Sequence, residues 1–283
     1  MQYSLVSFLL ITSSLLVSIN LQLSVRAADT AEYANCSQPI TCGSVESSLS
    51  YPFWGANRPE YCGKSGFEVT CQDTVPMISM GSVDFRILNM SASGAVIPTV
   101  TVAREDYWND ICPSNYVNTS LNFSLFDYAS GPQNVSFSYC NPNATTAFVA
   151  MAATMGVCNS SVQVFFLTET QTAKISSQNT NGDCSNVVLV PVSATATEEL
   201  DNNKTSIQKA IDGGFDLNVQ NVDTGLCNNC VASGGVCGQT TTDTSFMCFC
   251  QDSSSTKACN GNSLTNPNSS SGMYLDIYSI SYN

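Results

Sequence analysis

Fourteen cysteines constrain the fold of this 283-residue chain more than any other feature of its sequence. In an exported chain, an even number of cysteines is typical of a disulfide framework, here of up to seven bridges. We therefore expect bridges, rather than one large apolar interior, to hold the fold together. The cysteines are Cys36, Cys42, Cys62, Cys71, Cys112, Cys140, Cys158, Cys184, Cys227, Cys230, Cys237, Cys248, Cys250 and Cys259.

The N-terminal segment predicts export. Residues 5–23 are mainly apolar, and Val25 and Ala27 place small residues at positions −3 and −1 of a cleavage after Ala27. This pattern is typical of a secretory signal peptide, so we expect a secreted protein in the apoplast or cell wall. A signal-anchor helix is the alternative, which the polar residues Ser13, Ser14 and Asn20 disfavour.

Nine Asn-x-Ser/Thr sequons predict a heavily glycosylated surface, in agreement with export. The bridge-forming residue Cys36 occupies the middle position of the first sequon, where a disulfide competes with modification. The predicted glycosylation sites are Asn35, Asn89, Asn118, Asn122, Asn134, Asn143, Asn159, Asn203 and Asn268.

The charge balance excludes two classes of partner. Nine Lys and Arg residues stand against 22 Asp and Glu residues, for a net charge of −13. Nucleic-acid binding depends on clustered cations, and an anionic membrane surface attracts them for the same reason. We therefore expect neither nucleic-acid binding nor direct contact with an anionic membrane.

The chain contains no histidine, which excludes Ser-His-Asp and Cys-His triads and any His-ligated metal site. Paired carboxylates of the glycosidase type remain an alternative, with Glu68, Asp84, Glu105 and Asp106 available. None of these residues lies in a recognisable glycosidase motif, and solvated surface charge explains them more simply. We expect no catalytic residues, no cofactor and no metal, and hence a protein that is not an enzyme.

Hydrophobic alternation predicts a mainly β, disulfide-rich fold. In the first half, apolar residues alternate with polar ones over 83–88, 100–102, 121–125 and 134–139. The last of these is the clearest strand, with Val135, Phe137 and Tyr139 expected inward and Asn134 and the serines outward. Such alternation suits an antiparallel sheet with one solvated face.

The second half predicts two buried strands and one short helix. Residues 162–167 and 187–192 are apolar runs of strand length. In the tract 193–212, Thr195 and Glu198 predict a capping box. Because 201–203 are weak helix formers, we expect only a short helix late in the tract, ending at Gly213.

Residues 51–71 combine aromatics, glycines, prolines and cysteines in a mixture that a regular helix cannot accommodate. Pro52 and Pro59 fix φ, and the glycines permit turns. One interpretation is a cysteine-pinned mini-core, in which the aromatic rings are buried. The other is that some rings, together with Arg58, form an exposed saccharide-stacking face.

The motifs of this region also carry a family resemblance. They are Tyr-Pro-Phe-Trp-Gly at 51–55, Tyr-Cys-Gly at 61–63 and Gly-Phe-Glu-Val-Thr-Cys at 66–71, with further matches at Cys36, 42–43, 85–88, 103–106 and 112–113. This set resembles the galacturonan-binding ectodomain of plant wall-associated receptor kinases.

A second set of motifs resembles the C-terminal wall-associated-kinase domain of the same receptors. These motifs lie at 190–192, 214–217, 227–230, 233–238 and 246–250. The Cys-x-Cys-x8-Cys ending resembles an EGF-like module, which implies the pairs Cys227–Cys237, Cys230–Cys248 and Cys250–Cys259. A zinc cluster is the other interpretation, which oxidation of secreted cysteines disfavours.

The two resemblances imply two small cysteine-rich β domains, the second ending in an EGF-like cysteine cluster. We expect a signal peptide over 1–27, a galacturonan-binding domain over 28–145, a C-terminal domain over 146–259 and a flexible tail over 260–283. Six cysteines before the cut and eight after it permit self-contained bridging on each side. Family receptors continue into a membrane span and a kinase; residues 273–283 are too short and polar to cross a bilayer, and we find no kinase motif.

The resemblance implies pectic homogalacturonan or oligogalacturonides as the ligand. Galacturonate carboxylates bind to cations or to bridging calcium, and sugar rings stack on aromatic side chains. Arg86 and Arg104 are alternatively structural partners of Asp84 or Asp106. The alternative function is a protein-interaction module that binds receptor-kinase ectodomains or peptides. The candidate carbohydrate-binding residues are Trp54, Arg58, Tyr61, Lys64, Arg86, Arg104 and Trp108.

Overall fold

The computed structural model describes residues 29–43, 45–46, 49–91, 98–131, 133–141, 153–159, 161–175 and 184–259. The predicted signal peptide, the sequons at Asn143 and Asn268 and the predicted tail lie outside the described residues. The described chain is mostly β, as the alternation predicts.

Sixteen strands and five helices make up the described secondary structure, together with 3-10 turns at Glu60–Cys62 and Glu105–Tyr107. The strands are β1 Thr41–Cys42, β2 Val45–Glu46, β3 Trp54–Gly55, β4 Glu68–Gln72, β5 Val75–Met80, β6 Val83–Met90, β7 Thr99–Arg104, β8 Phe126–Tyr128, β9 Gln133–Cys140, β10 Ala153–Cys158, β11 Val162–Thr168, β12 Cys184–Val192, β13 Phe215–Val219, β14 Val236–Gln239, β15 Phe246–Phe249 and β16 Ser254–Ser255. The helices are α1 Ala31–Cys36, α2 Glu169–Ile175, α3 Ala194–Asp201, α4 Ile207–Asp212 and α5 Thr224–Ala232.

A seven-stranded sheet in the order β3-β4-β5-β6-β7-β13-β8 forms the largest layer. Only its β3–β4 pair is parallel. Alternation along β6 and β7 places Val83, Phe85, Ile87, Val100 and Val102 in the core, as predicted. Strand β13 comes from the second half of the chain, yet it pairs between β7 and β8.

One predicted alternation in the first half is wrong. Residues 121–125 form a turn before β8 rather than a strand. Leu121 is buried, but Phe123 is 64% exposed because the Asn122 side chain folds this segment tightly. Its Oδ1 accepts hydrogen bonds from both the amide and the hydroxyl of Ser124. Such side-chain bonding to the backbone competes with strand formation.

A second sheet, in the order β10-β11-β9-β12, packs its inner face against α3 and α4. Val135, Phe137 and Tyr139 of β9 are fully buried in this core, as predicted. Ser138, expected outward, is also buried, because β9 is a central strand covered on both faces. The edge strand β12 is buried on one face only, so Val187 is exposed contrary to expectation.

The predicted late helix is present as α4, whose N-cap is Ser206. The sequence argument missed α3, which begins after Ser193 instead of using Thr195 as its cap. The weak helix formers at 201–203 terminate α3 rather than preventing it. Among the described residues, no helix is both long enough and apolar enough to cross a membrane.

All fourteen cysteines are paired. The three C-terminal bridges, Cys227–Cys237, Cys230–Cys248 and Cys250–Cys259, are those of the EGF-like prediction, and they leave none of these cysteines free to bind zinc. Two further bridges, Cys36–Cys62 and Cys42–Cys71, lie within the first half.

The remaining two bridges correct the expectation of self-contained bridging. Cys112–Cys158 and Cys140–Cys184 both cross the predicted boundary between residues 145 and 146. Strand β9 lies before that boundary but pairs with β11 and β12, which lie after it. Cys140 of β9 therefore bridges to Cys184 of β12, beyond the boundary. The domain limits themselves stay a prediction.

Residues 224–259, here called the cysteine module, consist of α5 and the three-stranded sheet β14-β15-β16. The module packs on the aromatic stretch through two edge-to-face ring contacts. Tyr51 meets Phe246 at 6.1 Å between ring centroids, and Tyr61 meets Phe249 at 5.9 Å. The stretch 51–71 therefore links the module to the seven-stranded sheet.

Candidate functional site

The aromatic stretch 51–71 is largely a packed core. Phe53 and Phe67 are fully buried and contact each other edge to face at 5.7 Å. Trp54 is half-buried, and its Nε1 donates to the carbonyl of Lys64 at 2.8 Å. A Cβ added at Gly63 would lie 2.6 Å from Trp54 Cδ1, which explains the glycine. The mini-core interpretation describes this stretch.

Arg58 does not form part of an exposed saccharide-stacking face, which was the second interpretation of residues 51–71. Its side chain is 6% exposed and donates hydrogen bonds to the carbonyls of Leu49 and Cys62. Its Nε has no hydrogen-bond partner among the described residues. Because burial removes the guanidinium from water, the pKa of Arg58 falls to about 10. Arg58 therefore holds two carbonyls of the loop together inside the fold.

Lys64 and Tyr61 lie where the stretch meets the second half of the chain. The Lys64 ammonium donates to the carbonyl of Asn221, and the carboxylate of Asp223 lies 3.8 Å from its Nζ. The hydroxyl of Tyr61 accepts a hydrogen bond from Asn35 at 2.7 Å. Both side chains thus take part in contacts that join distant segments.

Arg86, Glu105 and Trp108 form a partly exposed group that we call the Trp108 patch. The 3-10 turn Glu105–Tyr107 presents Glu105 to Arg86, whose Nε and Nη2 donate to the two carboxylate oxygens at 2.9 and 3.0 Å. The guanidinium carbon lies 4.1 Å from the centroid of the Trp108 ring. The sequence argument had named Asp84 as a partner for Arg86, but Asp84 bonds to Ser79.

Arg104 is one of the most deeply buried side chains, at 1% exposure. It pairs with both carboxylate oxygens of Asp106, the residue that the sequence analysis named as a possible structural partner. It also donates a hydrogen bond to the carbonyl of Val117 at 2.8 Å. The register pairs it with Phe85, the strand neighbour of Arg86. Since side chains alternate along a strand, Arg104 and Arg86 point to opposite faces of the sheet.

A buried tyrosine pair lies beside Arg104. The hydroxyls of Tyr107 and Tyr139 are 2.8 Å apart, and that of Tyr139 donates to the carbonyl of Ile111. Burial raises the pKa of Tyr107 to about 12, and it also raises the pKa of Tyr139. Alternation places Tyr139 inward, but no sequence signal identifies its partner 32 residues away.

The electrostatics of the candidate cations have one common feature. Lys64, Arg86 and Arg104 each face a carboxylate, and Arg58 faces carbonyls. An opposite charge at such distances cancels most of the field that a polyanion would experience. Three of the candidate cations are therefore ion-paired, and the fourth, Arg58, is buried, so none of them offers an exposed unpaired positive charge.

Most predicted glycosylation sites are accessible. Asn134 is half-buried and its Nδ2 lies 3.3 Å from a carboxylate oxygen of Glu169. The other six described sequon asparagines are exposed, namely Asn35, Asn89, Asn118, Asn122, Asn159 and Asn203.

Two protein-family models match this chain, each over a different range of residues. Residues 36–104 match the model of the wall-associated receptor kinase galacturonan-binding family. Residues 133–253 match the wall-associated receptor kinase C-terminal family. The chain carries the two domains of the wall-associated receptor kinase ectodomain. No solved structure matches.

Relatives that this chain matches include receptor-like protein kinases of Arabidopsis thaliana. The chain is 32% identical over 230 residues to leaf rust 10 disease-resistance locus receptor-like protein kinase-like 2.5, a match covering 76% of this chain and 33% of the relative. The match to the 2.1 relative is 28% identical and covers 80% and 35%, respectively. The chain thus spans about a third of the length of these relatives.

Proposed function

We propose that this protein is an extracellular, receptor-like recognition module that binds galacturonan. The observation that carries the proposal is the match of residues 36–104 to the galacturonan-binding family. The disulfide framework and the exposed sequons support an extracellular site of action. A role in sensing the cell wall is part of the proposal, since the relatives are receptor-like protein kinases.

We place the sugar contact at the Trp108 patch. Trp108 is half-exposed, and the ion-paired Arg86 holds its ring in position. An indole face packs against the apolar face of a pyranose ring, and a carboxylate or guanidinium at its border provides hydrogen bonds to hydroxyl groups. Arg58 and Arg104 are buried, so they support the fold instead of touching the ligand.

The same electrostatics favour a ligand of low charge. Free galacturonate carries a carboxylate on every residue, and a protein of net charge −13 repels such a polymer. Methyl-esterified galacturonan is neutral and requires no unpaired cation. We therefore propose that affinity rises with the degree of methyl-esterification.

The test is calorimetric titration of the secreted protein with oligogalacturonides of graded esterification, with and without calcium. We expect affinity to rise with esterification. We expect Trp108→Ala to weaken binding roughly tenfold, the equivalent of about 1.4 kcal/mol. The matched control is Phe123→Ala, which removes a more exposed ring that packs on Tyr128 instead.

Each outcome has a defined meaning. Flat responses across the series would contradict galacturonan binding and leave the interaction-module alternative, tested by pull-down of receptor ectodomains after enzymatic removal of pectin. Binding of unesterified chains only with calcium would contradict the esterification dependence. Equal losses in Trp108→Ala and Phe123→Ala would contradict the location.

A further inference from the structure

The edge strand β12 combines two features that promote self-association. It lies at one end of the order β10-β11-β9-β12, with β9 as its only strand partner in the described sheet. Val187 and Leu189, two residues apart on one face of this strand, are 53% and 42% exposed. An end strand that leaves apolar side chains exposed offers a surface through which another chain can associate.

The segment just after Cys112 lies along this edge. The side-chain Oδ1 of Asn118 accepts a hydrogen bond from the amide of Leu189 at 2.8 Å, and the Thr119 hydroxyl lies 3.4 Å from the carbonyl of the same residue. Both backbone groups of Leu189 therefore point away from β9 and are already hydrogen-bonded to this segment, so its exposed apolar side chain is what stays uncovered here. The neighbouring Tyr116 and Val117 are also exposed. We call Tyr116, Val117, Val187 and Leu189 the edge patch.

Asn118, which accepts the hydrogen bond from Leu189, is the asparagine of the sequon Asn118-Thr119-Ser120. Its Oδ1 is directed at Leu189, and a glycan would attach to Nδ2 of the same carboxamide. In that transfer, Nδ2 loses a proton and bonds to the anomeric carbon of an oligosaccharide, whose bond to a lipid diphosphate carrier breaks. The oxygen is unchanged, so the modified side chain still accepts from Leu189.

We propose that Asn118 carries an N-linked glycan that covers the edge patch and prevents its apolar side chains from associating with a second copy of this chain. The hydrogen bond to Leu189 fixes where the first sugar begins, at the lateral edge of the strand. A bulky hydrated glycan there keeps a second copy of the chain from reaching the exposed apolar side chains of the patch. Pro191, further along β12, lacks an amide donor, which disfavours strand pairing at that position.

The first measurement is glycopeptide mass spectrometry of the protein secreted from plant cells. We expect Asn118 to be occupied. A protein that remains folded and monomeric with Asn118 unmodified would overturn the proposal.

The second measurement compares two single-residue variants that each remove one sequon. Ser120→Ala removes the Asn118 glycan but retains both contacts to Leu189. Thr205→Ala removes the Asn203 glycan, where no large exposed apolar side chain lies in 201–206. Light scattering over a concentration series should show several-fold greater self-association for Ser120→Ala and none for Thr205→Ala.

A rescue variant separates association through the edge patch from misfolding. Adding Leu189→Lys to Ser120→Ala places a charge on the bare edge, and we expect it to restore the monomer. Retained self-association in the double variant, or equal behaviour of Ser120→Ala and Thr205→Ala, would overturn the proposal.

Discussion

The seven-stranded sheet and the cysteine module are held together by different means. The core of the sheet comprises eighteen buried apolar residues, none of them a cysteine. The core of the module comprises five buried residues, of which four are half-cystines and the fifth is Phe246. The sheet thus gains its stability from apolar burial, whereas the module depends on bridges that restrict its unfolded chain.

This contrast corrects the expectation that bridges, rather than a large apolar interior, hold the fold together. The first half contains enough apolar residues with strand periodicity to build a substantial core, and its Cys42–Cys71 bridge ties the short strand β1 to β4. Chain length explains the difference, because a segment of 36 residues such as 224–259 cannot bury enough apolar area by itself.

The largest effect should come from truncating the core of the sheet. Phe67 is fully buried and contacts Phe53 and Phe126, so Phe67→Ala leaves a cavity that costs about 3–5 kcal/mol of unfolding free energy. The exposed Phe123→Ala should change stability by less than about 0.5 kcal/mol. Guanidinium unfolding followed by fluorescence of Trp54, which packs on this core, measures both. Similar losses in the two variants would mean that the sheet is not held by its core.

A slightly smaller effect should follow from opening one bridge of the module. Replacing both Cys230 and Cys248 by serine opens a loop of 18 residues and should destabilise the module by about 3 kcal/mol. The Cys227–Cys237 pair closes a loop of 10 residues, and its removal should cost about 0.5 kcal/mol less. Native-state proteolysis, with cleavage sites mapped by mass spectrometry, should show cleavage confined to 224–259. Cleavage that spreads equally through the sheet would contradict this independence.

The junction of the two regions can be tested with a pair of glycines. A Cβ at Gly238 would lie 2.3 Å from the carbonyl oxygen of Tyr61, so Gly238→Ala must displace backbone and should cost about 1–3 kcal/mol. At Gly225 in α5 nothing lies within 4 Å, and Gly225→Ala should be neutral or stabilising by up to about 1 kcal/mol. Thermal unfolding measures both changes. Equal behaviour of the two variants would mean that the module does not dock on residues 51–62 as the structure has it.

The sequence predicted the local elements of the fold better than the contacts between them. Alternation located β6, β7 and β9, and the resemblance to an EGF-like module implied all three bridges of the module. The partners of Cys112 and Cys140 could not be inferred, because they depend on how β9, β10, β11 and β12 pair in the second sheet. That pairing is a long-range consequence of the shared core, and periodicity carries no information about it.

The candidate site was predictable in residue type but not in exposure. An arginine between Gly55 and Cys62 has the same sequence signature whether its guanidinium meets water or the carbonyls of Leu49 and Cys62. The pairing of Arg86 with Glu105 depends on a 3-10 turn that follows β7, and no cap or spacing signal marked that turn. Burial of charged groups is therefore the property that required the structure.

The smallest expected effect is a pH dependence that belongs to the tyrosine pair rather than to either compared region. The pKa of an unfolded tyrosine is about 10, and burial raises that of folded Tyr107 to about 12. Between these values the unfolded chain has released a proton that the folded protein retains, so stability falls as pH rises through this window. Between pH 9 and pH 11, Tyr107 alone should account for a loss of about 1 kcal/mol. Denaturant unfolding at the two pH values should show a smaller loss of unfolding free energy in Tyr107→Phe than in the wild type. Tyr139 and Tyr51, whose pKa values burial also raises, account for the loss that remains in the variant. An identical loss in the variant would mean that the Tyr107 hydroxyl is not buried against Tyr139 in solution.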